Sequence, residues 1–295
     1  MGEVITFTSG KGGVGKTTST ANVGVGLSLL DKKVILVDTD IGLRNLDVVM
    51  GLENRILYNL VDVLKGRCRM KQAVIKDKRF PNLSIIPSSC TKDAGDLDKE
   101  KMKQLLAELR QEYDYVLVDS PAGIDHGFEL ALANADRVIL VTTPQIAAIH
   151  DADCVLQILK KQKMADVSLL INGFRSQLVK DGDMLDIPDI CELLEVELLG
   201  VVLEDEAIIV AQNHGMPVMG QHAARGQHAA RGLHTVSENC YRNIARRITG
   251  EDVKIPDYTR TENLFTRIFF RRNVTRERGN AANERGSVTK EHVME

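Results

Sequence analysis

The sequence has no tryptophan, and aromatic residues make up only 4% of its 295 positions. So few rings leave little on which successive bases of a single-stranded nucleic acid could stack. The five cysteines, Cys68, Cys90, Cys154, Cys191 and Cys240, are odd in number, widely spaced and form no C-x-x-C pair. That argues against a disulfide framework and against a zinc or iron–sulfur centre, and reduced thiols are the expectation. No apolar run approaches the ~20 residues of a membrane-spanning helix, and no leader-like segment precedes the first strand-like residues. A cytoplasmic chain that does not cross a bilayer is therefore expected. A strong excess of one charge is also missing, with 38 Lys and Arg against 41 Asp and Glu, net −3. The balance is uneven along the chain, however. Residues 241–295 hold 12 basic against 8 acidic side chains, leaving 26 against 33 in the first 240. An acidic body with a basic end speaks against a general nucleic-acid binder and suits an end that meets an anionic surface.

What is present is a regular alternation. Short, continuously apolar runs occur at Val4–Thr8, Val34–Val37, Leu83–Pro87, Tyr115–Val118, Val138–Thr142, Ser168–Ile171 and Leu198–Val202. Helical patterns lie between them, among them Thr17–Leu30, Lys99–Glu112 and Ala147–Gln162. Strands apolar on both faces belong to a parallel sheet covered by helices. The fold expected is α/β, a doubly wound and mostly parallel sheet flanked by helices, with ligands at the carboxyl ends of the strands.

The first apolar run ends in Gly10-Lys11-Gly12-Gly13-Val14-Gly15-Lys16-Thr17-Thr18, a full G-x-x-x-x-G-K-[ST] match between a strand and a helix. Glycines let successive backbone N–H groups turn inward onto phosphate oxygens, and the following helix adds the partial positive charge of its N-terminus. Lys16 is placed to reach β- and γ-phosphates, and the Thr17 hydroxyl to bind Mg²⁺. Two further strands end in carboxylates, at Asp38-Thr39-Asp40 and at Asp119-Ser120-Pro121-Ala122-Gly123. A carboxylate there faces the phosphate loop and can hold Mg²⁺ through water or orient an attacking water.

The string Lys-Gly-Gly-Val-Gly-Lys-Thr from Lys11 to Thr17 resembles the deviant Walker A of the MinD/ParA family of P-loop ATPases. The segments 40–47, Asp-Ile-Gly-Leu-Arg-Asn-Leu-Asp, and 119–124, Asp-Ser-Pro-Ala-Gly-Ile, are similar to the MinD branch, as is Tyr241–Arg247. The resemblance runs from about Val4 to about Arg272. It implies ATP and Mg²⁺ as ligands and a homodimer formed with ATP, in which Lys11 reaches the partner subunit's nucleotide. It further implies Asp40 at the attacking water, Asp119 in the Mg²⁺ shell, Asn45 in the first switch and Asn172 at the adenine. Lys11, Lys16 and Asp40 are then the catalytic candidates. MinC-like and MinE-like proteins are the implied partners, the one a division inhibitor recruited to the membrane, the other a stimulator of hydrolysis. The segment Ile149–Asp153 is a candidate docking surface for them.

Three features depart from the family pattern. Leu203 precedes Glu204-Asp205 where a proline is usual, Gln221–Gly226 is repeated as Gln227–Gly232, and a charged tail follows the terminal amphipathic segment. Wound as a helix, Leu264, Phe265, Ile268 and Phe269 fall within one arc of about 140°, flanked by Arg267 and Arg271. That pattern suits in-plane binding to an anionic membrane surface. The expected organisation is an ATPase domain over 1–255, a linker and membrane-targeting helix over 256–272, and a polar tail over 273–295. The rival reading is a ParA-type partition ATPase on nonspecific DNA. The acidic body weakens it, the amphipathic segment has no role in it, and no nucleic-acid partner is expected.

Overall fold

The computed structural model describes residues 1–91, 97–220 and 234–258. Eight strands form one sheet: β1 (Glu3–Thr8), β2 (Val34–Asp38), β3 (Ile75–Lys76), β4 (Leu83–Ile86), β5 (Tyr115–Asp119), β6 (Arg137–Thr142), β7 (Val167–Phe174) and β8 (Glu197–Leu203). Their order across the sheet is β3-β4-β2-β5-β1-β6-β7-β8. Every adjacent pair is parallel except β3 with β4. The α/β, doubly wound reading of the sequence is thus the fold observed. Strand β1 sits between β5 and β6, so the chain leaves it to one side through β2 and later fills the other side. The sheet opens a crevice at the carboxyl end of such a strand, which is where this class of fold places ligands.

The helices are α1 (Lys16–Leu29), α2 (Leu46–Val49), α3 (Leu60–Leu64), α4 (Met70–Ala73), α5 (Lys99–Glu112), α6 (His126–Ala131), α7 (Ile146–Lys161), α8 (Ser176–Lys180), α9 (Ile187–Leu194), α10 (Glu206–Asn213) and α11 (Val236–Ile248). Two apolar layers hold them to the sheet. On one face α1 and α11 bury Val23, Leu27, Tyr241 and Ile244 against Ile5, Phe7 and Leu36. On the other, α3 to α6 cover Val4, Ile35 and Val116. Helix α5 shows how the pattern does this. Asp98 caps it by accepting from the Glu100 N–H at 2.9 Å. Met102, Leu105, Leu106 and Leu109 then fall at i, i+3, i+4 and i+7 and are all buried, each contributing ~1.5–3 kcal/mol of transfer free energy. In α11 the hydroxyl of fully buried Tyr241 lies 3.3 Å from Ser19 Oγ of α1, and burial pushes its phenol well up.

Most boundaries fall within a residue of the sequence reading, and two of the differences have a local cause. Strand β7 runs on through Asn172 to Phe174 rather than stopping at Ile171, with an irregularity in its pairing to β8 between Asn172 and Phe174. Strand β4 stops at Ile86, because Pro87 has no N–H to continue a ladder. Met1–Ile255 pack as one unit, and Pro256 begins a second. The Arg247 guanidinium holds the end of the first unit, donating to the carbonyls of Leu199 (3.1 Å), Val253 (2.6 Å) and Lys254 (2.9 Å). The duplicated segment 221–232, the tail 273–295 and the membrane candidates Leu264, Phe265, Arg267, Ile268, Phe269 and Arg271 lie outside the described residues.

Candidate functional site

The phosphate loop leaves β1 and re-enters α1 at Gly15. Gly15 has φ 93° and ψ 22° and stands at the helix N-cap without a capping side chain. A residue with a Cβ resists that left-handed backbone, and the bare cap leaves the first N–H groups of α1 open to a ligand. Asn172 explains why the position tolerates no side chain. A Cβ on Gly15 would sit 2.1 Å from Asn172 Nδ2, which donates to the Val14 carbonyl at 2.8 Å. Asn172, 158 residues away in sequence, thus braces the loop from β7.

Lys16 and Thr17, the first residues of α1, converge with Asp119 at the end of β5. Lys16 Nζ lies 2.9 Å from Asp119 Oδ1, with Lys16 7% and Asp119 0% exposed. The Thr17 hydroxyl donates to Asp119 Oδ2 at 2.7 Å, and Thr20 Oγ comes within 3.2 Å of Oδ1. Asp38, opposite Asp119 in the β2–β5 register, is equally buried. Burial and the neighbouring Asp119 push its carboxyl well above the usual carboxylate range. The N–H groups of Asp40 (2.9 Å) and Leu46 (3.3 Å) donate to its two oxygens. Asp38 therefore ties down both ends of the loop 40–46.

Asp40 is half-buried on the wall of a cavity of about 500 Å³, also lined by Lys11, Gly13, Thr17, Asn45 and Ala122. Burial raises its carboxyl, while Lys16 pulls the other way. Lys11, Gly12 and Gly13 are exposed at the rim. The Lys11 ammonium has no carboxylate partner among the described residues. Gly10 is packed beneath, where a Cβ would meet the Asp151 carbonyl oxygen of α7 at 2.2 Å. Within the docking candidate Ile149–Asp153, Ile149 and Ala152 face the core and His150 is exposed. The Thr18 hydroxyl accepts from Gln212 Nε2 of α10 at 2.7 Å, leaving its own hydrogen to donate.

A second cavity of about 730 Å³ adjoins the loop at Gly13 and is lined by Thr143, Ile146, Asn172, Arg175 and Leu185. Glu204 pairs with Arg175 across its edge. Asp205 is committed elsewhere, accepting from the Ser237 N–H at 3.0 Å and hydroxyl at 2.7 Å. Lys11, Gly12, Gly13, Gly15, Lys16, Thr17, Thr18, Asp40 and Asn45 thus line one opening, with Asp119 buried beneath Lys16 and Thr17, while Gly10 packs on α7 and Asn172 lines the second cavity. The sequence names Asp38 at its strand end without a role of its own, and gives no sign of Thr20 or Gln212. Asp38 carried a signal, since it ends an apolar strand two residues before Asp40. Thr20 and Gln212 reach the site only through tertiary contacts.

The donors on the cavity floor fit Mg²⁺, which prefers hard oxygen ligands. Among the described residues no group of three or more His, Cys, Asp or Glu is arranged to hold a metal ion by itself. A cation here would rest on Thr17, Asp119 and a ligand's own phosphate oxygens.

Residues 2–169 match the family model described as an AAA domain. The septum site-determining protein MinD of Bacillus subtilis is 49% identical over 257 residues, 86% of this chain and 92% of that protein. Among solved structures, the MinC:MinD cell division protein complex of Aquifex aeolicus superposes with a TM-score of 0.77 at 39% identity, covering 87% of this chain and 99% of that one. MinD of Pyrococcus horikoshii, complexed with Mg-ADP, gives 0.73 at 28% identity, covering 84% and 96%. With the phosphate loop, the parallel sheet and the two strand-end carboxylates in place, the chain belongs to the MinD family of P-loop NTPases.

Proposed function

We propose that this protein is an ATP-driven switch that helps place the division septum, binding the membrane as an ATP-bound dimer and leaving it after hydrolysis. One observation carries the reading: Lys16 and Thr17, in the lining of a cavity rimmed by the glycine-rich loop, both hydrogen-bond to Asp119 buried beneath them. The loop N–H groups, the N-terminus of α1 and Lys16 offer the positive field that a triphosphate needs. Lys16 is already desolvated, so exchanging Asp119 for phosphate oxygens keeps it paired throughout. Thr17 and Asp119 would hold Mg²⁺, which when bound withdraws charge from the phosphate oxygens. Thr18 can donate its free hydrogen to a phosphate. Asn172 has its amide N–H turned to Val14 and lies beside the second cavity, where the base would sit. Asp40, with its carboxyl beside Lys16 and raised by burial, is placed to orient the attacking water.

Exposed Lys11 is free to reach a second subunit's phosphates, the role that the family resemblance gives it. Two amphipathic segments at 264–271 would then act together, and the second binding event becomes intramolecular. This places the protein in the cytoplasm and on the inner face of the membrane. A MinC-like inhibitor is the cargo, and a MinE-like protein the stimulator of hydrolysis. The Aquifex complex and the identity to MinD proteins support the assignment. The test is titration with a fluorescent ATP analogue and a phosphate-release assay, with Lys16→Ala as the comparison. Binding and turnover in the parent and neither in the variant are expected. Unchanged affinity in Lys16→Ala would overturn the assignment of the loop.

A further inference from the structure

Arg79 lies far from the phosphate loop in sequence and outside the cavity lining, yet it joins a segment that lines the nucleotide site to one that holds the helix after the phosphate loop. It follows β3 and is held by Asp77, which is almost fully buried. Arg79 Nε donates to Asp77 Oδ1 at 3.0 Å and a terminal nitrogen to Oδ2 at 2.6 Å, a two-point pairing that fixes the plane of the guanidinium. Phe80 lies under the same group, 5.6 Å from ring centroid to guanidinium carbon.

With the plane fixed, two of the remaining N–H groups point at carbonyls on separate elements. One is that of Met50, the C-cap of α2. The other, at 3.0 Å, is that of Gly215, just past the end of α10. Four of the five guanidinium N–H groups are thereby used. Both acceptors sit at helix C-termini, where unpaired carbonyls favour a cation. The two segments are also in direct contact. Gly51, with φ 61°, lies so close that a Cβ there would meet the Gly215 oxygen at 2.4 Å.

One of the joined segments lines the nucleotide site, and the other holds the helix that follows the phosphate loop. Helix α2 brings Asn45, Val48 and Val49 to the cavity wall, and its first N–H is held by Asp38. Helix α10 and its exit reach the loop helix, through Gln212 to Thr18 and through the Met219 N–H to Asn22 Oδ1 at 3.1 Å. Asp38 fixes the front of the 40–50 segment, and Arg79 fixes its back.

We infer that Arg79 is a positioning residue for ATP hydrolysis, clasping the end of the 40–50 segment to the exit of α10 so that Asp40 is held in register with the phosphate loop. This rests on the ATPase reading above. It separates Arg79 from the residues that bind nucleotide, since none of its contacts faces the cavity. Loss of the clasp should therefore slow turnover without an equal loss of binding. Lysine keeps the charge but, as a single ammonium, cannot serve Asp77 and both carbonyls in the fork geometry.

The test uses the full chain and Arg79→Lys, with Asp77→Asn as a second variant that keeps the arginine but frees its plane. Two readouts are compared with the parent. Without nucleotide, amide hydrogen exchange at 46–52 and 213–216 should quicken at least fivefold in both variants, while β1 and β5 stay protected. With ATP and Mg²⁺, kcat should fall about tenfold and KM by less than threefold either way. Parent-like exchange in those segments overturns the clasp. Faster exchange with unchanged kcat overturns its role in turnover, and parallel changes in kcat and KM reduce Arg79 to a structural residue. A parent chain that hydrolyses no ATP would defeat the ATPase reading alone, and the exchange readout would still decide the clasp.

Discussion

Substituting Gly15 by alanine should damage the phosphate loop for two separable reasons. The first is the backbone. At φ 93° a residue with a Cβ carries a penalty of roughly 1–2 kcal/mol. The second is Asn172, whose Nδ2 would stand 2.1 Å from the new methyl. Displacing it breaks the bond to the Val14 carbonyl, worth ~0.5–1.5 kcal/mol. Gly13 supplies the control, because it too has positive φ, 81°, but a Cβ there meets nothing within 4 Å. Gly13→Ala should show only the backbone cost. Gly15→Ala should lose ~1.5–3.5 kcal/mol in all, a fall in Tm of ~3–14 °C for a domain of this size. Thermal unfolding without nucleotide measures this, and a fluorescent ATP titration should show the larger loss of affinity in Gly15→Ala. In an Asn172→Ala background the excess over Gly13→Ala should disappear, since the two residues would be coupled only through that clash. Equal melting points for Gly13→Ala and Gly15→Ala would refute the bracing of the loop by Asn172.

Three further outcomes follow. Lys11→Ala should fold and bind nucleotide like the parent, because the side chain is exposed, yet fail to dimerise with ATP in analytical ultracentrifugation. Asp40→Ala should bind ATP and hydrolyse it at least tenfold more slowly, and in a sedimentation assay it should stay on lipid longer than the parent. Asp38 governs a pH effect. Its carboxyl is raised in the folded state, so between its ordinary 3.8 and that higher value the folded chain holds a proton that the unfolded chain has released. Its contribution is therefore present below the ordinary value and is lost as pH rises towards the raised one. Denaturant unfolding of Asp38→Asn beside the parent should show the variant gaining relative stability as pH rises from 4 to 7. A difference that is flat with pH would show that folding does not raise the Asp38 carboxyl.

Much of this was readable from the chain because strands buried on both faces are apolar without interruption. That pattern marked β1, β2, β5 and β6 to within a residue, and it placed α5 at Lys99–Glu112 as observed. The glycines and Lys16 were legible because a phosphate loop needs them at fixed spacing. Strand β3 was not, since two residues at an antiparallel edge leave no periodicity. Asn172 stands just past the apolar run Ser168–Ile171 yet lies inside β7, because an irregular pairing with β8 cannot be seen in a run of side chains. The Arg79 clasp joins positions 29 and 136 residues away, and no local pattern announces such a contact. Asp38 looked like a companion of Asp40. Only the fold turns its two oxygens to the two ends of one loop.

The central claim is that nucleotide gates attachment to the membrane, and sedimentation with anionic liposomes tests it most directly. The full chain should pellet with the liposomes in ATP and Mg²⁺ and remain in solution in ADP. A chain truncated after Asn263 should bind ATP but stay in solution in both, and neither chain should bind duplex DNA under the same conditions. Equal pelleting in ATP and ADP, or ATP-dependent binding to DNA and not to lipid, would contradict the account.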